Sequence, residues 1–227
     1  LSNALEMTRA GHWDYDVASD MFTFNDNFYR IYRTTAAEAG GYKMSSAEYA
    51  RRFCHPDDAA LVGQEARAAI ATSDPHYHRQ IEHRIRYADG AAGHVAVRIF
   101  VVKDAQGRTI QTRGVNQDIT AYKQAEETLQ ASEARYRTFI EATSDLVFLK
   151  DKAFRYLISN EANNAFLGKP EADVIGRTDF DFMPRRIAER CRASDQAALD
   201  EGRGIVSEET VAGKIYQTVK FPVPLPN

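Results

Sequence analysis

Long hydrophobic runs are missing from this 227-residue sequence. The longest, Val95 to Val102, is interrupted by Arg98, whereas a helix needs about 20 apolar residues to cross a bilayer. No signal-peptide pattern is visible at the amino terminus. Cysteine is scarce, with Cys54 and Cys191 the only two, one in each half. Two isolated cysteines do not make a disulfide framework, so the expected compartment is reducing and cytoplasmic. Neither lies in a Cys-x-x-Cys motif, and a buried inert thiol is the expectation, with a reactive thiol as the alternative. Positive charge is not in excess: 29 Lys and Arg face 32 Asp and Glu, for a net charge of −3. A nucleic-acid binder would show a basic stripe and an anionic-membrane binder a polybasic cluster. Phosphate loops, nucleophile elbows and paired His/Cys motifs are also absent, which argues against an enzyme.

What is present is ordinary globular material, 44% apolar and 27% charged. The length fits one large or two small domains. Gly11 to Val17 alternates apolar and polar residues and predicts a strand; Met21 to Phe24 predicts its hairpin partner. Asn25 or Asp26 can cap a helix over Asn27 to Tyr32, and Thr34 to Lys43 reads as a loop. Ser46 is the expected cap of a short helix over Tyr49 to Phe53. His55-Pro-Asp-Asp58 suits the first turn of a helix to Ala71, with Leu61, Val62, Ala66, Ala69 and Ile70 on its apolar side. Three strands follow, over His76 to Tyr87, Gly93 to Lys103 and Thr109 to Gln117.

Asp118 or Thr120 can cap the next helix. Along it Tyr122, Ala125, Leu129, Ser132, Tyr136, Phe139 and Thr143 recur at alternating spacings of three and four, a heptad seam. Its Ala, Ser and Thr members predict a modest parallel dimer contact; the alternative is a helix packed on its own domain. The second half repeats the plan at an offset of roughly 134 residues, judged from Phe24 against Ile158. It has two short strands, a helix capped by Asn160 and ended by Gly168, a helix over Arg185 to Glu201, and strands over Ile205 to Val211 and Lys214 to Val223.

The order and spacing of these segments resemble the PAS family. In the first half the matching stretches are Gly11 to Asp16, Phe24 to Tyr29, His55 to Asp58, Glu82 to Gly90 and Gly114 to Thr120. In the second they are Asp145 to Asp151, Asn160 to Gly168, Val174 to Asp181 and Tyr216 to Pro222. The resemblance implies an α+β fold of two domains, each a five-stranded antiparallel sheet with helices on one face. The expected organisation is a first domain over 1–118, a linker helix over 119–144 and a second domain over 145–227. The family's final strand and its Asp-Ile-Thr end have no counterpart after Pro222, so the second domain is expected to be cut short. The initial Leu1 likewise implies a piece of something longer, with a histidine kinase the expected output module.

The resemblance further implies a small cavity between sheet and helices. Its candidate lining residues are Trp13, Phe24, Phe28, Ile31 and Phe53 in the first domain, and Phe148, Ile158, Phe166, Phe180 and Phe182 in the second. Ordinary core packing is the competing reading for each aromatic. Signal transmission is assigned to Asp118, Ile119 and Thr120 and to Leu129, Tyr136 and Phe139 on the seam, and the expected partner is a second copy through the linker helix. No catalytic or metal residues are expected. His76 and His78 share one face of a strand and His83 the other, too few for a closed zinc site. Haem is disfavoured because the helix between Asp58 and Thr72 carries no histidine. Flavin chemistry is disfavoured because neither cysteine lies in the Asn-Cys-Arg-Phe context of flavin-binding relatives. The resulting expectation is a sensor of a small ligand or partner, with a ligand-free dimerisation module as the alternative.

Overall fold

The computed structural model describes residues 10–211 and 213–224. The chain forms two compact units, Leu1–Leu129 and Gln130–Asn227, and the boundary falls inside a helix.

The first unit is built on one antiparallel sheet. Its strands are β1 (Gly11–Asp16), β2 (Met21–Phe24), β3 (Lys43–Ser45), β4 (His78–Arg86), β5 (Ala92–Lys103) and β6 (Thr109–Asp118), in the order β3-β2-β1-β6-β5-β4. Six strands rather than five is a correction to the sequence reading, because Lys43–Ser45 pairs with β2. The supposed loop before it holds a one-turn helix, α2 (Ala36–Ala39). Thr35 and Glu38 form a reciprocal capping box there, a local Thr-x-x-Glu signal that periodicity does not detect.

The other helices are α1 (Asp26–Ile31), α3 (Ser46–Phe53) and α4 (Ala59–Ala71). Asn25 rather than Asp26 caps α1, its side chain accepting from the Phe28 amide at 2.9 Å. Ser45 rather than Ser46 caps α3. A 3₁₀ turn over Pro56–Asp58 precedes α4, and the Asp58 carboxylate clamps that turn to β4. It accepts from the Arg84 amide at 2.7 Å and from Arg84 Nη2 at 2.6 Å. These Arg84 hydrogen bonds hold the Asp58 pKa down to about 2. Period-two alternation brings Val95, Val97 and Ile99 of β5 and Thr112, Gly114 and Asn116 of β6 onto the inner face. Phe28, Tyr32, Phe53 and Ile85 complete the buried core.

Helix α5 (Thr120–Glu141) starts directly after β6, with the Asp118 carboxylate accepting from the Thr120 amide at 2.9 Å. Tyr122, Leu129, Tyr136 and Phe139 of the seam are all exposed, Phe139 to 79%.

The second unit contains β7 (Phe148–Lys150), β8 (Tyr156–Ser159), α6 (Glu161–Leu167), α7 (Glu171–Val174), α8 (Arg185–Glu201), β9 (Ile205–Val211) and β10 (Lys214–Lys220). Asn160 caps α6 by accepting from the Asn163 amide at 3.0 Å, and the left-handed Gly168 ends it. Among the described residues this unit, expected to lack its last strand, forms no continuous sheet. Two separate antiparallel pairs stand in its place, β7 with β8 and β9 with β10. In the first unit β6 bridges β1 and β5. No described strand does this for β7 and β10, so the two pairs stay apart. Residues 225–227, part of the proline-rich stretch after Pro222, lie outside the described residues.

Candidate functional site

A cavity of about 50 Å³ opens between the first sheet and its helices. It exists because small residues of α4, Val62 and Ala66, face large rings: Trp13, Phe22, Phe24, Phe28 and Tyr49. Of the residues expected to line it, Trp13, Phe24 and Phe28 do so. Ile31 and Phe53 do not: Ile31 packs behind Gly11, and the Phe53 ring lies tilted against Tyr32 with 4.6 Å between centroids. A single water takes roughly 10–15 Å³ on this measure, so the space suits a few waters or a very small molecule. Drug-sized ligands need some 300 Å³ or more.

His83 supplies the cavity wall with a titratable group. Its Nδ1 lies 2.9 Å from the Arg84 carbonyl oxygen. A carbonyl only accepts, so Nδ1 carries the proton and Nε2 presents a lone pair. Burial lowers the His83 pKa, outweighing the Arg84 contact. The imidazole is therefore neutral at pH 7.

The wall is tied to the last strand by a buried polar chain. Trp13 Nε1 donates to Asn116 Oδ1 at 2.8 Å, and Asn116 Nδ2 donates to the Tyr32 hydroxyl at 3.2 Å. That hydroxyl lies 3.4 Å from Tyr49 Oη. Gly114 lets the indole lie flat on β6, since a Cβ there would come 2.0 Å from Trp13 Cζ2. Any shift of the indole is thus felt by Gly114 and Asn116, within four residues of Asp118.

At the strand end a second cluster sets the start of α5. The Tyr87 hydroxyl donates to Asp118 Oδ2 at 3.1 Å and lies 2.7 Å from Thr120 Oγ1. Thr120 Oγ1 accepts from the His94 amide at 2.8 Å. The Arg33 guanidinium covers the Tyr87 ring at 3.8 Å. Gly93 leaves space for that ring, because a Cβ there would meet the Tyr87 hydroxyl oxygen at 2.2 Å. Asp118 and Thr120 therefore sit in one hydrogen-bonded junction, while Ile119 contributes its amide to the His94 carbonyl at 3.0 Å. The sequence gives no periodic signal for Tyr87, because its partners are 31 and 33 residues away.

The second unit places its predicted lining residues differently. Phe148 and Phe182 flank Tyr156, with centroids 5.7 and 6.1 Å away, and Phe166 meets Tyr216 at 5.2 Å. Ile158 is half-buried on β8. Phe180 is 40% exposed under the Arg192 guanidinium, which corrects its assignment to an enclosed cavity.

The middle of this unit is instead an alternating ladder of charge. Lys150 Nζ bridges Asp179 at 2.7 Å and Asp195 at 2.8 Å; Lys220 Nζ bridges Asp195 and Glu209, both at 2.7 Å. Tyr156 donates to Asp179 at 2.7 Å. Sequence reading missed all five charged groups, because they come from β7, the turn before α8, α8, β9 and β10. Cys191 also lies here, and burial beside the Glu209 carboxylate pushes its thiol up to about 12. Burial likewise raises the Cys54 thiol to about 11. Neither sulfur is a thiolate at neutral pH, which fits inert packing.

Comparison with known proteins agrees with this architecture. Two family models described as the PAS fold match residues 22–116 and 140–227. The uncharacterized protein y4lL of Sinorhizobium fredii is 32% identical over 80 residues, 35% of this chain and 10% of that protein. The methanogenesis regulatory histidine kinase FilI of Methanothrix harundinacea is 28% identical over 130 residues, 56% of this chain and 15% of that protein. The chain thus spans no more than about a sixth of either relative. Among solved structures, a sensory box histidine kinase/response regulator from Burkholderia thailandensis superposes with a TM-score of 0.50. Its identity is 22%, and the match covers 60% of this chain and 96% of that one. No described helix is long and apolar enough to cross a membrane. Two tandem α+β units, each matched by a model described as the PAS fold, make this chain a pair of PAS domains, sensory domains typical of signalling proteins.

Proposed function

We propose that the first unit senses a small molecule in the Trp13 cavity and passes the change through α5 to an output module, a histidine kinase. The observation that carries this reading is the hydrogen-bonded route along β6 from the buried cavity wall to the helix start. Trp13 and Tyr49 line the cavity, Asn116 connects them to β6, and β6 ends in the junction that holds Thr120. A ligand that displaces the indole acts on β6 through Asn116, Gly114 and the β1–β6 ladder. To switch the output usefully, it must favour one state by about 1–3 kcal/mol. The two buried thiols fit a reducing, cytoplasmic setting.

Trp13 is the chain's single tryptophan, so its fluorescence reports this cavity alone. Native mass spectrometry of the purified protein is expected to show a retained small molecule. Its removal is expected to shift the Trp13 emission, and its return to reverse the shift. A single bare-chain mass with emission unchanged by extraction leaves the sensing reading without support.

One observation favours the alternative of a ligand-free dimerisation module: among the described residues the large seam side chains face solvent. Tyr122, Leu129 and Tyr136 are 65%, 60% and 48% exposed, a pattern suited to a second copy. Joint Leu129→Asp and Tyr136→Asp substitution is expected to convert a dimer to a monomer in light scattering. An unchanged mass refutes the seam as the contact.

A further inference from the structure

A second opening in the first unit is larger and chemically unlike the Trp13 cavity. It measures about 310 Å³, within the range of small-molecule sites, and lies between the carboxyl end of α3 and the β4–β5 turn. Arg51, Arg52 and Arg86 line it together with Phe53 and Tyr87. A fourth guanidinium, Arg33, stacks on Tyr87. Arg33 is paired with Asp89 at 3.0 Å, and Arg52 with Glu48 at 3.1 Å. Arg51 and Arg86 have no carboxylate partner among the described residues. Arg86 Nη2 donates to the Arg51 carbonyl at 2.7 Å, but Arg86 Nε is buried with no hydrogen-bond partner. A buried donor without an acceptor is a standing penalty that an incoming acceptor relieves.

We propose that this cleft is a distinct ligand site for a small carboxylate- or phosphate-bearing anion, held by Arg51 and Arg86. The reasoning is electrostatic and geometric. Guanidinium forks match the two oxygens of a carboxylate or phosphate, and two such forks share one cleft in a chain whose net charge is −3. The cleft is open to solvent, so the anion reaches it without unfolding. Its wall includes Tyr87, whose hydroxyl holds Asp118 and Thr120. A bound anion would therefore lie one side chain from the start of α5. The Trp13 cavity plays no part in this site, so the two stand or fall separately.

The test is calorimetric titration of the purified chain with sodium phosphate and with sodium succinate, against sodium chloride at matched ionic strength. Wild-type protein is expected to bind at least one of the two anions with a dissociation constant of about 1 mM or tighter. Phosphate alone would identify a phosphate-bearing ligand, succinate alone a carboxylate, and both a general oxyanion site. Arg51→Gln is expected to weaken binding about tenfold, because one charge-assisted contact is lost. Arg51 is exposed and its side chain has no partner among the described residues, so this variant should melt like wild type. Arg51→Gln combined with Arg86→Gln should abolish binding. The proposal is overturned if neither anion binds beyond the chloride background, or if Arg51→Gln binds as tightly as wild type.

Discussion

Asp195→Leu is expected to cost the second unit about 3–5 kcal/mol, the usual penalty for breaking a buried ion pair by removing one partner. Asp195 is the middle rung of the ladder. Its two oxygens meet Lys150 and Lys220, and the side chains of both lysines are less than a tenth exposed. Without it, two buried ammoniums face each other with only Asp179 and Glu209 to compensate. The single tryptophan lies in the first unit and will not report this loss. Amide hydrogen exchange along α8 will, and its rate should rise by about two to four orders of magnitude. A rise of less than tenfold would show that the ladder contributes little.

The same ladder sets a pH window. Burial alone would raise the Glu209 pKa, but hydrogen bonds from Lys220 and Ser194 outweigh it and the value falls below the ordinary 4.5. Its contribution is therefore present above about pH 4.5 and lost as pH falls through the lowered value. Burial would lower the Lys220 pKa, yet Asp195 and Glu209 raise it above 10.5. That contribution is complete below pH 10.5 and disappears only as pH rises beyond it. The α8 protection factors, corrected for the intrinsic pH dependence of amide exchange, should accordingly stay flat between these limits and fall on both sides.

Phe28→Ala is expected to destabilise the first unit by about 3–5 kcal/mol, the range for emptying a buried phenyl site. Phe28 is fully buried, stacks on Phe24 with centroids 3.8 Å apart, and forms part of the cavity wall. Truncation merges the lost ring's space with the existing 50 Å³. Dry apolar cavities of about 150 Å³ take up benzene, so benzene should restore part of the urea midpoint followed by Trp13 fluorescence. A midpoint shift that benzene leaves untouched would mean the site collapses on truncation. Loss of less than 1 kcal/mol would contradict the tight packing seen around this ring.

Much of the fold could be read from local patterns. The strand alternation in Gly11 to Val17, the Asn160 cap, the Gly168 stop and the span of α8 each depend on residues within a few positions of one another. The heptad seam is equally local, set by residues three and four positions apart. Trp13, Phe24 and Phe28 could be named as lining residues because large aromatics near a hairpin converge on the core. Ile31 and Phe53 lie off the Trp13 cavity and Phe180 is exposed, since apolar character does not say which face a side chain takes.

The sequence by itself determined the α+β class, the duplication and the helix between the halves, because short-range periodicity and caps encode them. Only the tertiary structure decided which polar groups meet. The Tyr87–Asp118–Thr120 junction and the Trp13–Asn116–Tyr32 chain join residues 31 to 103 positions apart. The ladder from Lys150 to Lys220 and the placing of Arg86 against the Arg51 carbonyl are likewise set by packing. Hydrogen bonds and ion pairs depend on three-dimensional distance and burial, and neither leaves a period in the chain.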